Sequence, residues 1–547
     1  MRYLGWVVCF GLSIVSCKNN VQIDKTEARP NIIWLVAEDQ SSEFFPMYGD
    51  SSIALPNLEM LAKDGVVYDN AYAPVPVCAP ARSSLITGMY PATLGTHNMR
   101  TYSKTPKDYF DKLGITNYSP IVPEGVRMFT EYLREVGYYT TNNSKEDYNF
   151  RGLDSAWDIS GSKAQWTGRK EGQPFFAVYN FGVCHESGIW KHTDSEKFVN
   201  RDSIPVPPIF PQNDTVIRND LATNYSNLKR MDNQIGSLLK ELKESGMYDN
   251  TIIFFYGDHG GPFPRYKRAL YETGLRVPLI VKFLGNKKQA DRSSDFISFV
   301  DFAPSVLSLA GIKAPQIMQG MARFGKYEAP KREYIFSTSD RFDGNVDRIR
   351  AVRYGKYKYI RNFNINTSNA LDVAYRMQMP MMRQLKKLHE ENQLDENAAK
   401  WFHTPKPVEE LYNLEEDPYE LHNMAASEDL VATLDHLRSA LDNWMVEIND
   451  LGNTTEKELN ARWLINGKAP KLNPIQFELK NKVYILKSDK KDATIIWRYP
   501  SQKNWNIYTQ PLAIDSTVVA KSVRIGFQDS DVVTLQAQNL KSKNNTP

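Results

Sequence analysis

Cysteine and histidine are scarce in this sequence, whose 547 residues include four cysteines and eight histidines. So few cysteines exclude a disulfide scaffold, because such scaffolds depend on several bridges. The histidines show no zinc-like spacing, which argues against a zinc hydrolase. Each cysteine therefore needs its own explanation. They are Cys9, Cys17, Cys78 and Cys184.

The sequence also lacks a large excess of positive or negative charge, since it contains 67 Lys and Arg residues and 64 Asp and Glu residues. A net charge of +3 argues against nucleic-acid binding by the chain as a whole, because binding to phosphates requires a concentrated basic face. With 41% hydrophobic and 24% charged residues, the composition is that of a globular protein, not a disordered or fibrous one. The length predicts one large catalytic body with an appendage.

The N-terminal segment resembles a secretion signal. An apolar stretch of about a dozen residues follows Arg2 and is too short to span a bilayer. It ends in Ile14-Val15-Ser16-Cys17, which looks like a bacterial lipobox. We expect residues 1–16 to be a lipoprotein signal peptide, Cys17 to carry a lipid anchor and residues 17–30 to form a polar tether. The alternative is a simple cleaved secretory signal.

No later segment reaches 18 consecutive apolar residues, so no membrane span is expected after the signal. The expected location is the periplasmic side or outer surface of a bacterial membrane, with the periplasm as the alternative. If the lipobox is used, Cys78 and Cys184 are the two remaining thiols.

Several strongly apolar runs predict strands that are buried on both faces, as in a parallel α/β sheet. They cover residues 31–37, 174–181 and 250–256, and residues 277–283 form a further candidate. Segments with helical spacing separate them, notably 126–136 and 218–245. This alternation predicts a large, mostly parallel central sheet flanked by helices.

Charged or imidazole side chains follow three of these runs. The pairs are Glu38–Asp39, His185–Glu186 and Asp258–His259. Because ligands bind beyond the carboxyl ends of strands in such sheets, we expect one shared site there. Carboxylates suit Ca²⁺ or Mg²⁺ and would repel one another without a cation. The competing interpretation is that Asp39 or Asp258 caps the next helix while Glu38 faces the solvent.

Cys78 lies in a proline-rich segment, four residues before Arg82. A helix N-terminus and a neighbouring arginine both lower the pKa of a thiol, so this position predicts a reactive cysteine. A buried structural cysteine is the less favoured alternative, because prolines and an arginine are unusual core neighbours. Cys184, by contrast, is expected to be a small buried thiol.

The segment Cys78-Ala79-Pro80-Ala81-Arg82 resembles the C-x-P-x-R motif of the formylglycine-dependent sulfatases, a family of the alkaline-phosphatase superfamily. The resemblance extends over residues 30–425. The other matching parts are residues 31–39, 87–91, 137–145, 257–260 and 411–423, together with His185 and Lys267.

In that family a maturation enzyme oxidises the motif cysteine to formylglycine, whose hydrate attacks the sulfate sulfur. The resemblance therefore implies a sulfatase with one Ca²⁺ and a sulfated glycan substrate. Lysines would neutralise the sulfuryl charge, and a histidine would protonate the leaving oxygen. The implied catalytic residues are Cys78, Arg82, Lys145, His185 and Lys267. The implied metal ligands are Glu38, Asp39, Cys78, Asp258 and His259.

Four positions depart from the family pattern. Glu38 replaces the more usual aspartate, and His259 replaces the more usual asparagine, so the ligand set differs there. Ser144 stands where a second glycine is usual, and Asp147 stands where a histidine usually follows the lysine. Weaker candidates for substrate contacts are His97, Glu186 and Trp190. The alternative is a structural hydrogen bond for His97, and the favoured alternatives are a surface glutamate for Glu186 and a core tryptophan for Trp190.

The pattern changes beyond residue 330. Alternation around Gly355-Lys356 predicts a hairpin over 350–360, and residues 426–448 are helical by pattern. We expect a catalytic α/β domain over 31–330 and a smaller antiparallel subdomain over 331–450. A β-rich, sandwich-like accessory module is expected over 465–547.

Two other functions stay open from the sequence. A catalytically inactive glycan-binding relative is disfavoured, because every implied catalytic residue is present. A phosphatase or phosphodiesterase of the same superfamily normally carries serine or threonine as nucleophile and two zinc ions. The expected activity is therefore hydrolysis of sulfate esters, with N-sulfates as a variant. The candidate substrates are ulvan, carrageenan and glycosaminoglycan oligosaccharides.

Overall fold

The computed structural model describes residues 29–103, 108–286 and 291–537. The expected signal peptide, the lipid-bearing Cys17 and most of the expected tether lie outside these residues. Among the helices in these ranges, none combines the length and apolar character needed to cross a membrane.

The described strands form one large sheet and three small ones. They are β1 (Asn31–Ala37), β2 (Val66–Tyr72), β3 (Tyr139–Asn143), β4 (Ile159–Ser160), β5 (Phe175–Phe181), β6 (Thr251–Gly257), β7 (Arg276–Val277), β8 (Leu279–Lys282), β9 (Arg292–Ser298), β10 (Tyr334–Ser339), β11 (Ile349–Tyr354), β12 (Tyr357–Asn362), β13 (Glu409–Asn413), β14 (Gln476–Lys480), β15 (Val483–Lys487), β16 (Thr494–Arg498), β17 (Asn506–Ile507), β18 (Val518–Val523) and β19 (Val533–Leu535).

The α-helices lie mainly against the large sheet. They are α1 (Pro56–Asp64), α2 (Cys78–Thr87), α3 (Pro91–Leu94), α4 (Asp108–Leu113), α5 (Phe129–Glu135), α6 (Ser187–Lys191), α7 (Thr215–Glu244), α8 (Glu272–Leu275), α9 (Phe302–Leu309), α10 (Pro380–Glu390), α11 (Glu396–Ala399), α12 (Val431–Glu447) and α13 (Glu456–Trp463).

The large sheet has the order β4-β3-β5-β1-β6-β8-β2-β7, with β9 also paired to β2. Strands β4, β3, β5, β1 and β6 are parallel. Alternate residues of β1 enter different cores: Ile32 and Trp34 face one side of the sheet, and Ile33 and Leu35 face the other. The predicted flanked, mostly parallel sheet is confirmed.

One expected strand runs in the opposite direction. The apolar run 277–283 is expected to be a parallel strand, but Pro278 divides it, and β8 is antiparallel to both β6 and β2. An unbroken apolar run indicates burial on both faces and carries no information about strand direction. The connection from β6 to β8 contains the four-residue helix α8 and the two-residue strand β7 but no long crossover helix, which suits antiparallel pairing.

The second sheet, β10-β11-β12-β13, is antiparallel throughout. The predicted hairpin is present as β11 and β12, joined at Gly355-Lys356, and Gly355 adopts a left-handed φ of 54°. The predicted helix is present as α12, which begins at Val431. Its apolar face, including Leu434 and Leu437, packs on this sheet.

The last described part contains the hairpin β14-β15 and the sheet β17-β16-β18-β19. The two pack together through residues such as Leu486 and Val518. Ile496, Val523 and Ile525 belong instead to the core under the large sheet, so this part is docked on the catalytic body. The β-rich character agrees with the expectation, and the domain boundaries stay predictions.

Candidate active site

The carboxyl ends of three neighbouring strands place the predicted polar pairs together. Ala37 at the end of β1 is paired with Phe181 of β5 and Gly257 of β6. The residues that follow these three positions therefore leave the sheet at one edge. Two hydrogen bonds from backbone N–H groups to side-chain carboxylates connect the three segments. Asp39 N donates to Asp258 Oδ1 (2.9 Å), and Glu186 N donates to Asp39 Oδ2 (2.7 Å).

Cys78 is the first residue of helix α2 and is 1% exposed. Its Sγ lies 3.2 Å from His259 Nε2 and 3.8 Å from Asp39 Oδ1. Burial disfavours the thiolate, but the charges of Lys145 and Lys267 outweigh it and lower the pKa of Cys78 to about 6. The thiol lies at the first residue of α2, as expected, but the charges that lower its pKa most are those of the two lysines and not that of Arg82.

Four side chains form a compact cluster that could hold a cation. Ligand atoms of Asp39, Cys78, Asp258 and His259 lie within 4.8 Å of one another, and all four residues are buried. Burial works against ionisation of Asp258, yet His259 and Arg82 lower its pKa to about 2. Burial likewise opposes protonation of His259, but Asp258, Cys78 and Asp39 raise its pKa to about 10.

The imidazolium of His259 thus neutralises the two aspartates, with Nε2 at 3.0 Å from Asp39 Oδ1 and 3.7 Å from Asp258 Oδ1. A divalent cation among the same atoms would neutralise them in its place. Two carboxylates are hard oxygen donors, so the donor set fits Ca²⁺, with His259 as the softer member.

Glu38 lies outside this cluster. Its Oε2 accepts a hydrogen bond from Lys145 Nζ (3.0 Å), and its Oε1 lies 3.9 Å from Arg82 Nη2. A glutamate is one methylene longer than the usual aspartate, and here the carboxylate is directed to the two cations. These contacts do not support Glu38 as a metal ligand. Its role in metal binding stays a prediction.

Arg82 is held in a fixed orientation beside Cys78. Its Nε and Nη2 donate to Asp258 Oδ2 (3.1 and 2.9 Å), and its Nη1 donates to Asn180 Oδ1 (2.6 Å). Asn180 lies in β5 at the same sheet edge and was not singled out from the sequence. The sequence signal that could have identified Asn180 is the presence of a polar residue in an otherwise apolar strand.

The second lysine is more deeply placed than the first. Lys267 Nζ donates to Asp39 Oδ2 (2.6 Å), contacts Glu186 Oε1 (3.0 Å) and lies 3.4 Å from His185 Nε2. Its side chain is 1% exposed, whereas those of Lys145 and His185 are 22% and 18% exposed. Although burial opposes the charge of both lysines, nearby anions raise the pKa of each. Both therefore carry a full positive charge beside residue 78.

The three weaker substrate candidates differ in accessibility. Glu186 is buried, accepts two hydrogen bonds from Arg268 (2.8 and 2.9 Å) and pairs with Lys267 (3.0 Å), so its carboxylate is already engaged by two cations. His97 is 2% exposed and contacts Asn98, so it is also screened from substrate. Trp190 is half-buried, with its ring 5.2 Å from the exposed ring of Tyr375.

Two further neighbours of the site carried little sequence signal. Arg268 directly follows Lys267 in the sequence and belongs to no motif of its own. Its ion pair with Glu186 becomes evident only in the structure. Tyr375 comes from a distant loop, and its ring lies 6.2 Å from that of His185. Nothing in its local sequence predicts this approach.

Fold and site together define a hydrolase of anionic esters. A reactive position at a helix N-terminus, residue 78, lies among Arg82, Lys145 and Lys267, whose charges match an anionic group. His185 lies at the more exposed side of this group of cations.

Comparisons with known proteins identify the family. The sulfatase family matches residues 30–312, and the C-terminal family of N-sulphoglucosamine sulphohydrolase matches residues 257–396. An ulvan-active sulfatase of Formosa agariphila is 38% identical, over 98% of this chain and 97% of its own length. Human N-sulphoglucosamine sulphohydrolase is 25% identical, over 77% and 91%.

A crystal structure of a putative sulfatase from Bacteroides thetaiotaomicron has the same fold, with a TM-score of 0.56 and 18% identity over 78% of this chain and 94% of that one. The chain belongs to the sulfatase family and is a sulfuric ester hydrolase. The expected family, fold and reaction class are confirmed, and the phosphatase alternative is not supported.

Proposed function

We propose that the protein removes sulfate from oligosaccharides of ulvan or of a similar acidic, sulfated polysaccharide. The relative named as ulvan-active matches nearly the whole chain, including the terminal β-rich part. The observation that carries the chemistry is the group of three cations around Cys78. Carrageenan and glycosaminoglycans are the alternative substrates.

Formylglycine, made from Cys78 by a maturation enzyme, would supply the nucleophile, and a Ca²⁺ held by Asp39, Asp258 and His259 would supply positive charge beside it. Arg82, held by Asp258 and Asn180, keeps its guanidinium next to residue 78. Lys145 and Lys267 bind the sulfuryl oxygens and neutralise their charge. His185 donates a proton from Nε2 to the leaving oxygen.

Asp147 takes a supporting part in this scheme. Its Oδ1 accepts a hydrogen bond from Arg100 (2.7 Å), and its Oδ2 lies 3.9 Å from Lys145 Nζ. Burial alone would raise the pKa of Asp147, but the charges of Arg100 and Lys145 lower it. An anionic Asp147 therefore orients Lys145 and is itself neutralised by Arg100.

We also propose that Cys17 becomes lipidated and anchors the protein to a bacterial membrane. The lipobox-like sequence supports this location. A Cys17→Ser variant expressed in a Gram-negative host should lose membrane association. Equal association of both forms would contradict the anchor.

The substrate proposal is tested by a desulfation screen. Ulvan, carrageenan and glycosaminoglycan oligosaccharides are incubated with the matured protein, and released sulfate is measured by ion chromatography. We expect release from ulvan oligosaccharides at the highest kcat/KM. Release from another glycan alone would overturn the substrate assignment, and preferential hydrolysis of phosphate esters would overturn the mechanism.

Calcium should stabilise the folded protein, because a ligand that binds only the native state raises the free energy of unfolding. At a concentration 100 times its Kd, the expected gain is about 2.7 kcal/mol, seen as a higher unfolding temperature. His259→Asn should keep most of the gain, since it retains an oxygen donor, while His259→Ala should lose more of it.

His422, which is mostly exposed, provides the matched control. His422→Ala should respond to Ca²⁺ as the unaltered protein does. If Ca²⁺ leaves the unfolding temperature of the unaltered protein unchanged, the acidic cluster is not a calcium site.

A further inference from the structure

A polar cleft of about 660 Å³ begins beside the sulfate-binding lysine. Ser144 and Glu146, on either side of Lys145 in the chain, both line it, as do Asp147 and Arg100. The cleft is also lined by Lys503, Asn504 and Trp505, which belong to the turn between β16 and β17. The cleft is therefore shared between the catalytic body and the terminal β-rich part.

This turn is held firmly against the body. Arg134 Nη2 donates to the carbonyl oxygen of Trp505 (2.5 Å), and Lys521 Nζ donates to Asp154 Oδ2 (2.7 Å). Arg151, from the body, donates to the carbonyl oxygen of Phe527 (3.1 Å). Ile496 and Val523 pack in the core under the large sheet, so the terminal part that carries the turn is docked on the catalytic body.

Trp505 supports the turn and is not an open stacking surface. The guanidinium of Arg498 and the ammonium of Lys521 both lie 4.8 Å from its ring centroid. These cation–π contacts occupy its ring and fix its position.

Most charges in the cleft are compensated. Asp147 is paired with Arg100 (2.7 Å), Asp154 with Lys521 (2.7 Å) and Asp158 with Arg134 (2.9 Å). Glu146 Oε1 accepts a hydrogen bond from Ser160 Oγ (2.6 Å).

Two charged side chains that line the cleft have no ion-pair partner in the described ranges: the Glu146 carboxylate, which accepts a hydrogen bond from the Ser160 hydroxyl, and the Lys503 ammonium. Lys503 is exposed and belongs to the terminal β-rich part. An ammonium without an ion-pair partner, in a cleft that is also lined by serine and tyrosine residues, matches an anionic group on a polar ligand.

We propose that this cleft binds the sugar next to the sulfated one, and that Lys503 binds an anionic group of that neighbouring sugar. The inference rests on the proposed function, because the cleft adjoins Lys145, which is assigned to the sulfate. The terminal β-rich part thereby contributes directly to substrate recognition. The anionic group is a carboxylate or a second sulfate, both of which an ammonium binds as a point charge.

The test compares Lys503→Ala with the unaltered protein on three substrates. These are an aryl sulfate, the oligosaccharide that the unaltered protein desulfates best, and that oligosaccharide after its carboxyls have been reduced to alcohols. Loss of one exposed charge pair should raise KM for the native oligosaccharide about three- to fivefold, with kcat nearly unchanged. Hydrolysis of the aryl sulfate, which does not reach the cleft, should be unaffected.

A second variant tests the cleft itself. Asn504→Trp places a large ring in the cleft and should raise KM for oligosaccharides while sparing the aryl sulfate. Lys487→Ala, an exposed lysine of β15 that does not line the cleft, is the matched control and should change none of these values.

The outcomes separate the possibilities. A KM effect of Lys503→Ala that disappears on the reduced oligosaccharide identifies a carboxylate, and an effect on both forms identifies a second sulfate. No effect of Lys503→Ala would overturn the role of Lys503, and no effect of either variant would overturn the cleft as a binding site. Absence of sulfate release from every tested oligosaccharide by the unaltered protein would instead contradict the proposed function.

Discussion

Cys78→Ala should abolish sulfate release from every substrate. In a serine protease, removal of the nucleophile costs about 10⁶-fold in kcat, and no neighbouring group of this site can form the aldehyde hydrate in its place. The neighbours of Cys78 Sγ are His259 and Asp39, which lack a convertible thiol. The variant should still fold, because alanine has high helix propensity and fits the buried start of α2.

Cys184 provides the control. It is fully buried, and burial together with Glu38 and Asp39 raises the pKa of its thiol well above the usual value. Cys184→Ala should therefore keep most of the activity. Mass spectrometry of the active protein should show an aldehyde at residue 78. Fully active protein with an unmodified thiol there would contradict the mechanism.

The central fold was predictable because its signals are local. Buried parallel strands are continuous apolar runs, and α7 shows regular helical spacing over its whole length. Strand direction was not predictable for β8, because burial on two faces is the same for parallel and antiparallel neighbours. Docking of the terminal part was not predictable either, since the side chains that join the main core, such as Ile496, lie in ordinary short strands.

The parts of the site that lie in short sequence motifs could be predicted from the sequence. Asp39, Cys78, Asp258 and His259 meet because they follow or adjoin strands that end at one edge. The sequence could not show that Glu38 would turn to Lys145, or that Glu186 would be enclosed by Arg268 and Lys267. Those outcomes depend on side-chain pairing between residues far apart in the chain.

The position of His185 suits a proton donor more than a sulfate ligand. Its Nδ1 contacts Ser187 Oγ (3.0 Å), which orients the ring, and its Nε2 faces Lys267 Nζ and Asp39 Oδ2 (4.0 Å). The side chain is partly exposed, whereas Lys267 behind it is buried. A leaving oxygen that points toward solvent would therefore meet His185, while the sulfuryl oxygens would meet the lysines.

His185→Ala should consequently reduce kcat/KM on sugar sulfates by about 10²–10⁴-fold, because an alkoxide leaves only with a proton. An aryl sulfate should suffer much less, since a phenolate leaves unaided. Lys145→Ala and Lys267→Ala should impair both substrates about equally, because sulfuryl charge must be neutralised whichever group departs. The measurement is the ratio of kcat/KM values on the two substrates for each variant. Equal losses for His185→Ala on both would assign His185 to sulfate binding or to structure, and Lys267, 3.4 Å from its Nε2, would become the first candidate for the acid.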